Sequence, residues 1–450
     1  MSRYHSHNSY SITSNNPVLY WMQGTQRYHD NHALDYAIKK ANAHNVGLKV
    51  LFVLNGNYPD ANARNMTFML EGLKSLQNTL RNKGIVFTVE IGEFKTVLSQ
   101  ILENISMLVM DQSYLRHLRD IKAEIGFKAT NNRIPCVSVE SDVLVPVKEA
   151  SDKAEYAART IRKKLHAKLA TYNTLPEMPP IQTPLPLNSA SILDDSIPAI
   201  IKHLDVDESV PKSDWFKGGE DEAFKALDTF IHHRLTDYKN SNDPSKDNTS
   251  KMSMYLHFGM ISPLRIYQTI QQQTTMDQAS VDNYLEQLFI RRELAFNYVM
   301  FREGYDAFET MSEPWAYETM EDHKADKREY IYHREDYCAF RTHDAYFNAA
   351  MKEMVKTGFM HNYMRMYWGK KIIEWSVDYK TAYETILTLN NTYFIDGRDP
   401  VSYASVAWLF GKHDQGWKAR KVFGKLRYMN AAGLKRKFDI DAYVKRCNTL

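Results

Sequence analysis

The fold of the N-terminal part of the chain is set by one segment, PVLYWMQGTQRYHDNHALDYAIKKANAHNVGLKVLFVLN, residues 17–55. Residues 17–22 form a short apolar run that is typical of a buried strand. Residues 32–45 carry the spacing of a helix, and residues 47–55 form a second apolar run. A strand, a helix and a strand in this order predict two parallel strands joined by a crossover helix.

The same alternation continues along the chain. Three further apolar runs, 85–92, 106–111 and 135–142, are separated by helical patterns, and residues 65–83 form an amphipathic helix. We therefore expect an α/β domain over residues 17–150, with a doubly wound, Rossmann-like parallel sheet of five strands. No GxGxxG follows the first strand, so the usual dinucleotide fingerprint is missing.

The pattern changes after the α/β domain. Residues 151–220 read as a helix followed by a linker, because TLPEMPPIQTPLPLNSASI (174–192) holds five prolines and no helical period. From residue 221 to 450 the strand pattern fades, and aromatic-rich helical periodicity predicts an all-α domain. The polar residues 1–16 are predicted to be a disordered arm.

Composition bounds the class of protein. The chain has 450 residues, 57 Lys or Arg against 54 Asp or Glu, and 44% hydrophobic residues, which is typical of a folded, soluble protein of two or three domains. Three cysteines without a CxxC pair argue against a disulfide framework and a cysteine zinc site, and we expect no metal. Without a long apolar run or a secretory leader, we expect an intracellular protein, cytoplasmic or nuclear and not secreted, with no membrane contact.

The net charge of +3 hides an asymmetry. Residues 411–450 hold 11 Lys or Arg against three Asp, a balance of +8, whereas the rest of the chain sums to −5. Aromatic residues, among them Trp417 and Tyr428, are interleaved with these cations. The segment is typical of a surface that meets a polyanion, and equally of a solvated helical face, so that charge alone leaves both interpretations open.

Two segments carry residues suited to binding a ligand. In TSKMSMYLHFG (249–259), Thr, Ser and Lys precede a helix, where they suit a phosphate or simply cap the helix. In LNNTYFIDGRDP (389–400), Asn390, Asp396 and Asp399 surround a turn, where they suit a ring edge or a ribose, or only stabilise the turn.

A third segment, HNYMRMYWGKKIIEW (361–375), crowds Asn362, Arg365 and Met366 into one or two helical turns. Trp368 and Trp375 are seven residues apart, hence on one face and about 10.5 Å apart along the helix axis. Tryptophans at this spacing are typical of core packing, and they also suit electron transfer to a redox cofactor. Periodicity does not separate these interpretations.

Taken together, the motifs resemble the class II cyclobutane pyrimidine dimer photolyases of the cryptochrome/photolyase superfamily. The resemblance runs from about residue 17 to residue 446. It rests on VLYWMQGTQRYHDNHAL, ASDKAEYAARTIRKKL, NDPSKDNTSKMSMYLHFG, RRELAFNY, THDAYFNAAMKEMVKTGFMHNYMRMYWGKKIIEWS, LNNTYFIDGRDP and VFGKLRYM. It implies a deoxyribodipyrimidine photo-lyase, which splits dimers in double-stranded DNA with light and FADH⁻, and a monomer as the default.

The resemblance also implies roles for individual residues. FAD would be bound by Tyr238, Thr249, Ser250, Lys251, Met252, Ser253, Arg292, Glu293, Arg365, Asn390, Asp396, Gly397 and Asp399. Asn390 would face flavin N5, Trp368 would be the proximal electron donor and Trp375 the distal one. The flipped dimer or its DNA would be contacted by Asn362, Met366, Trp408, Trp417 and Arg427.

Three positions depart from the family pattern. Phe347 stands where the family usually has a tryptophan, so we expect weaker photoreduction of the flavin, unless a tyrosine substitutes (Tyr346, Tyr363 or Tyr367). Gln287 stands where the family tends to have a catalytic glutamate, a role that Glu286 could take instead. Residues 139–146, VESDVLVP, differ near the antenna site and leave deazaflavin, folate or no antenna open.

Three other functions compete with dimer repair. A cryptochrome-like photoreceptor would bind FAD without repairing DNA. A (6-4) photolyase would need paired active-site histidines, for which His257 and His361 are available, although the surrounding motifs match dimer repair better. A non-catalytic DNA-binding module would have no use for a flavin loop. Hydrolysis is not indicated, because GxSxG, HExxH and Walker A patterns are absent.

Overall fold

The N-terminal part of the computed structural model, which describes residues 2–187 and 191–450, is a sheet covered by helices on both faces. The strands are β1 Tyr4–Ser6, β2 Val18–Trp21, β3 Leu48–Leu54, β4 Val86–Ile91, β5 Met107–Asp111 and β6 Cys136–Val139. Their order is β1-β6-β5-β2-β3-β4, and all neighbours are parallel except β1 and β6. The five predicted strands and the doubly wound sheet are confirmed.

Helices cover both faces of the sheet because successive residues of the central strands are apolar and their side chains point to opposite faces. In β2, Val18 and Tyr20 face one core, and Leu19 and Trp21 face the other. The helices of this part and of the linker are α1 His32–Ala43, α2 Ala63–Asn82, α3 Phe94–Ile101, α4 Arg116–Asn131, α5 Val147–Ala150, α6 Ala158–Tyr172 and α7 Ile197–Leu204, with 3₁₀ turns at Leu102–Asn104 and Ile192–Asp194.

The predicted disorder of the N-terminal arm is wrong for its first described residues. Tyr4–Ser6 pairs with β6, and the buried Arg3 guanidinium donates to the carbonyl oxygens of Val143 at 2.8 Å and Tyr172 at 3.0 Å. This polar segment is ordered by its pairing at the edge of the sheet and by one buried arginine. Neither interaction requires a run of apolar residues, so the sequence pattern did not predict it. Met1 of the arm lies outside the described residues.

The predicted linker contains one element that its sequence pattern did not show. Helix α7 buries Ile200, Ile201 and Leu204 against the core of the sheet. Eight residues are too few for a helical period to stand out among prolines and polar residues. Residues 188–190 of the linker lie outside the described residues.

The C-terminal part is helical, as predicted. Its helices are α8 Glu220–His233, α9 Ser253–His257, α10 Pro263–Gln271, α11 Gln278–Leu285, α12 Arg292–Phe301, α13 Pro314–Asp322, α14 Arg334–Cys338, α15 Ala345–Thr357, α16 Asn362–Trp375, α17 Tyr379–Tyr393, α18 Pro400–Leu409, α19 Ala431–Lys437 and α20 Ile440–Asn448. A 3₁₀ turn spans Leu235–Asn240, and a π-helical segment spans Glu286–Arg291. Among the described residues, no helix is long and apolar enough to cross a membrane.

A buried arginine joins the two parts. Arg64, in the first turn of α2, is 2% exposed and donates hydrogen bonds to four carbonyl oxygens. The acceptors belong to Pro211 at 3.0 Å, Met354 at 3.3 Å, Val355 at 2.7 Å and Tyr393 at 3.0 Å. Because the last three of these carbonyls lie at the C-terminal ends of α15 and α17, one side chain of the α/β domain fixes two helices of the helical domain.

We expect Arg64→Ala to lower the free energy of unfolding by about 3 kcal/mol, because several carbonyl oxygens lose their donor at a buried interface. Urea denaturation of the purified protein measures the change. The matched control is Arg81→Ala, which removes an exposed arginine from the last turn of the same helix and should cost less than about 0.5 kcal/mol. Equal unfolding midpoints for the two variants would contradict the prediction.

Candidate active site

The helical domain encloses a cavity of about 400 Å³, a size that is common for ligand sites. Its walls come from the loop before α9, the π-helical segment, and helices α16, α17 and α18. It brings together sixteen of the residues predicted from the sequence: Tyr238, Thr249, Ser250, Lys251, Met252, Ser253, Gln287, Arg292, Asn362, Arg365, Met366, Trp368, Asn390, Asp396, Asp399 and Trp408.

One wall of the cavity is the polar loop at residues 249–253. The N-cap of α9 is Met252, and no side chain caps this helix, so helix capping does not explain the Thr and Ser residues here. The Thr249 hydroxyl is buried without a hydrogen-bond partner among the described residues. Lys251 has a left-handed backbone (φ +56°), and its ammonium contacts Asp247 at 2.7 Å. The Thr249 hydroxyl is therefore available to a ligand in the cavity.

Next to Ser253 of this loop, the cavity wall holds a two-point ion pair. The Arg365 guanidinium donates to both carboxylate oxygens of Asp396, each at 3.1 Å, and lies 3.8 Å from the ring centre of Phe394. Burial alone would raise the pKa of Asp396, but the charge and hydrogen bonds of Arg365 outweigh it, so this pKa is lowered. The pair stays ionised, and its two charges balance each other inside the cavity wall.

The orientation of the Asn390 amide follows from its neighbours. The Asp60 carboxylate only accepts, so the amide nitrogen of Asn391 donates to it, at 3.0 Å. The backbone N–H of Arg398 only donates, at 3.0 Å, which fixes the Asn391 carbonyl oxygen as its acceptor. The Asn390 amide nitrogen donates to this same oxygen at 3.1 Å. Asn390 therefore keeps its own carbonyl oxygen for the cavity.

The two tryptophans of α16 occupy different places. Trp368 lines the cavity, and its indole N–H points at the sulfur of Met351 at 2.9 Å. Trp375 is buried outside the cavity, where its ring centre lies 5.2 Å from that of Phe347. Met351 and Phe347 are one turn apart on α15, so that they lie between the two tryptophans. This packing is compatible with both interpretations of the tryptophan spacing, namely core packing and electron transfer to a redox cofactor.

Beside the lining residue Trp408, aromatic and cationic groups alternate. The Arg427 guanidinium lies 5.3 Å from the ring centre of Trp408 and 4.3 Å from that of Trp417, and it pairs with Asp414 at 2.9 Å. Trp417 is 42% exposed. Trp417 and Arg427 do not line the cavity itself, but they stack beside Trp408, which does.

The π-helical segment separates Glu286 from Gln287. The Glu286 carboxylate is taken by Arg162 at 2.7 Å and by Arg291 at 3.1 Å, whereas Gln287 lines the cavity. A π-turn changes which side chains face a neighbour, and such turns occur often at functional sites. The structure thus brings an amide to the cavity at the position that the resemblance marks as catalytic, and not Glu286.

The structure does not bring Glu293 or Gly397 to the cavity. Glu293 faces the α/β domain, where its carboxylate accepts from the backbone N–H of Leu144 at 3.0 Å and of Val145 at 3.4 Å. Gly397 packs so closely that a Cβ would lie 2.8 Å from the carbonyl oxygen of Asn390, so it serves the turn before α18. Cavity residues that the sequence patterns did not single out are Tyr284, Arg291, Phe359, Phe394 and His413.

A second cavity, of about 160 Å³, lies between the two parts of the chain. It sits beyond the carboxyl ends of the parallel strands, the usual ligand position of such sheets, and is lined by Tyr58 and by Asp142 of the segment 139–146. Arg27 pairs with Asp142 at 2.8 Å. His257, Arg292 and Asp399 line both cavities, so the two sites share a wall.

The buried Glu293 should make stability depend on pH. Burial raises the pKa of its carboxyl group to about 7, although Arg292 and the two backbone donors oppose this. Between pH 4.5 and 7 the folded state then holds a proton that the unfolded state has lost, so stability falls as pH rises. We expect the free energy of unfolding of Glu293→Gln, minus that of the wild type, to increase from pH 4.5 to pH 8.

Urea denaturation at several pH values measures this difference. The control is Glu208→Gln, which changes an exposed carboxylate and should show a flat difference over the same range. A flat profile for Glu293→Gln would show that the interface holds this carboxylate ionised.

Comparison with known proteins gives the relatives of the chain. The family model for DNA photolyase matches residues 18–185. A deoxyribodipyrimidine photo-lyase of Methanothermobacter thermautotrophicus is 42% identical over 436 residues, which cover 96% of this chain and 95% of that protein. One of Arabidopsis thaliana is 39% identical, covering 96% and 89%. The solved structure of an archaeal photolyase from Sulfolobus tokodaii with two FAD molecules has the same fold, with a TM-score of 0.70 at 18% identity, covering 96% and 89%.

Proposed function

The chain belongs to the DNA photolyase family, and from this premise we propose that it binds FAD in the larger cavity and uses light to repair cyclobutane pyrimidine dimers in double-stranded DNA. The single observation that supports this most directly is the cavity itself, which collects sixteen residues predicted from separate segments of the sequence, twelve of them from the three segments 249–259, 361–375 and 389–400. The relatives named as deoxyribodipyrimidine photo-lyases, similar along nearly the whole chain, support the same reaction.

The residues present fit FAD. The unpaired Thr249 hydroxyl and its neighbours in the loop 249–253 would hold the phosphates and the ribityl chain. The Arg365–Asp396 pair and the free carbonyl oxygen of Asn390 would meet the polar edge of the ring system. Bound and fully reduced, FAD supplies the electron that opens the cyclobutane ring when light is absorbed.

The other cavity residues suit two linked pyrimidines of one strand that have left the duplex. A dimer stacked in DNA must be extruded before it can be repaired, and a damaged step costs less free energy to unstack. Trp408 offers a flat apolar face and Met366 a flexible apolar contact, and an aromatic contact of this kind contributes about 1–3 kcal/mol. The amides of Gln287 and Asn362 both donate and accept, as the imide edge of a pyrimidine requires.

One copy of the chain provides the complete site, because the cavity, its opening and both flanking surfaces come from the same polypeptide. We therefore propose that it acts as a monomer. We also propose the second cavity as the place for an antenna chromophore, a deazaflavin or a folate. Its position at the carboxyl ends of the strands and the wall shared with the larger cavity support this.

We expect the purified protein carrying reduced FAD to restore thymines in an oligonucleotide with one thymine dimer in blue light, and to do nothing in darkness. Trp408→Ala should keep its flavin spectrum and lose at least tenfold in repair at limiting DNA concentration, because one stacking contact is gone. Chromatography of the digested product measures repair. A flavin-bound protein that changes its spectrum in light but repairs nothing would identify a photoreceptor, and a colourless protein that binds DNA would identify a binding module.

Phe347 gives a separate prediction for photoreduction. Phenylalanine is hard to oxidise, and here it lies against Trp375 on the side of Met351 and Trp368. We expect Phe347→Trp to speed the photoreduction of oxidised flavin under blue light with an external reductant, measured by absorbance, and to leave repair by pre-reduced protein unchanged.

The control is Phe301→Trp, at a partly buried position with no ring contact to either tryptophan. Equal photoreduction rates for wild type and Phe347→Trp would show that electrons reach the cavity by a route that avoids α15.

A further inference from the structure

A second basic segment lies far from the basic C-terminal residues. Residues 152–168 hold six Lys or Arg against Asp152 and Glu155, a balance of +4. The segment comprises the turn before α6 and most of α6 itself. None of the roles derived above uses it.

Contacts place the start of α6 beside residues that line the larger cavity. The carbonyl oxygen of Tyr156 accepts a hydrogen bond from Nδ1 of His413 at 2.7 Å, and His413 lines the cavity. One turn into the helix, Arg162 pairs with Glu286 at 2.7 Å, and Glu286 also holds Arg291, another lining residue. The amino-terminal end of α6 is thus attached to the cavity edge at two points.

Two cations on one face of α6 are free. Arg162 and Lys164 are engaged by Glu286 and Glu155, whereas Arg159 and Lys163 are exposed and have no partner among the described residues. Four residues apart, Arg159 and Lys163 lie on the same face of α6. Tyr156, just before the helix, is 47% exposed.

The free cations matter because Arg427, the arginine predicted to contact DNA beside Trp408, is already paired. Arg427 is held by both carboxylate oxygens of Asp414, at 2.9 and 3.0 Å. A strand whose lesion enters the cavity must run across the cavity edge, and its phosphates then need cations that are not neutralised from within the protein. Arg159 and Lys163 meet that requirement.

We propose that Tyr156, Arg159 and Lys163 form a DNA-docking surface, the α6 rim, which contacts the sugar-phosphate backbone next to the extruded lesion. The α6 rim contacts only the sugar-phosphate backbone and does not read the bases. It therefore contributes affinity and positions the strand next to the cavity, without sequence specificity. This inference rests on the proposed function, since it takes the cavity as the place of the lesion.

The test compares two substrates, because an isolated thymine dinucleotide dimer enters the cavity but lacks flanking phosphates. The protein carrying reduced FAD is prepared as wild type and as R159A/K163A. For the variant we expect weaker binding to a duplex with one thymine dimer, and a plot of log affinity against log salt whose slope is smaller by about 2. Light-driven repair of the isolated dinucleotide dimer should stay within twofold of wild type.

The matched control is K49A/K202A, which removes two exposed lysines, also without partners among the described residues, from β3 and α7. It should leave both the duplex affinity and the salt slope at their wild-type values. R159E/K163E should weaken duplex binding further than R159A/K163A does.

Wild-type duplex affinity and salt slope in R159A/K163A would overturn the proposal. So would an equal loss of dinucleotide repair, since this would mean that the substitutions act on the cavity itself. A wild-type protein that repairs neither substrate would contradict the proposed function instead, and the salt dependence of DNA binding by the wild type and the three variants would still test the α6 rim independently.

Discussion

The hydrogen bonds of Arg64 are the interaction on which the arrangement of the molecule depends. A buried guanidinium is tolerated only when its N–H donors have hydrogen-bond acceptors. Here three of the acceptors are backbone carbonyl oxygens at the C-terminal ends of α15 and α17, in the helical domain. The residues just before Arg64 are thereby held against the helical domain. Asp60 reaches Asn391, and Tyr58 becomes a wall of the second cavity.

This interface explains how the sheet influences a site that the helices build. Asn390 faces the larger cavity, yet its orientation depends on Asn391, and that of Asn391 depends on a carboxylate of the α/β domain. The amide is fixed by groups that can only donate or only accept, so it has one favourable orientation before any ligand arrives. Preorganisation of this kind costs nothing when the cofactor binds.

The same reasoning applies to charge inside the cavity. Its polar lining combines amides, such as Asn362 and Gln287, with the ion pair of Arg365 and Asp396 and with further charged groups, among them Lys251 and Arg292. Where the surrounding wall is apolar, the hydrogen bonds of these groups are strengthened, because less water competes for them. An amide in place of a glutamate at position 287 adds no negative charge to this lining, although it forgoes the stronger hydrogen bond of a charged group.

The local sequence pattern predicted most helices and strands, but it did not predict which way individual side chains face. The five parallel strands were predictable because each is a run of apolar residues longer than the turns around it. The arm was not, because β1 is three polar-flanked residues at a sheet edge. Arg292 and Glu293 show the second limit: neighbours on α12 point about 100° apart, so one lines the cavity and the other faces Leu144. The sequence motif singles out both residues, but it does not show that Arg292 faces the cavity and Glu293 the α/β domain.

Charge counting has a similar limit. The eleven cations of residues 411–450 predict a strongly basic surface, yet Lys412 is paired with Glu313, Arg427 with Asp414 and Arg446 with Glu353. Only a folded structure shows which cations remain for an external anion. Residues 152–168 have half the excess charge, but they include two unpaired cations, Arg159 and Lys163, on a helix that contacts residues of the cavity lining. A phosphate group is attracted by the unpaired cations at its binding position, and the net charge of a sequence segment does not show where those cations lie.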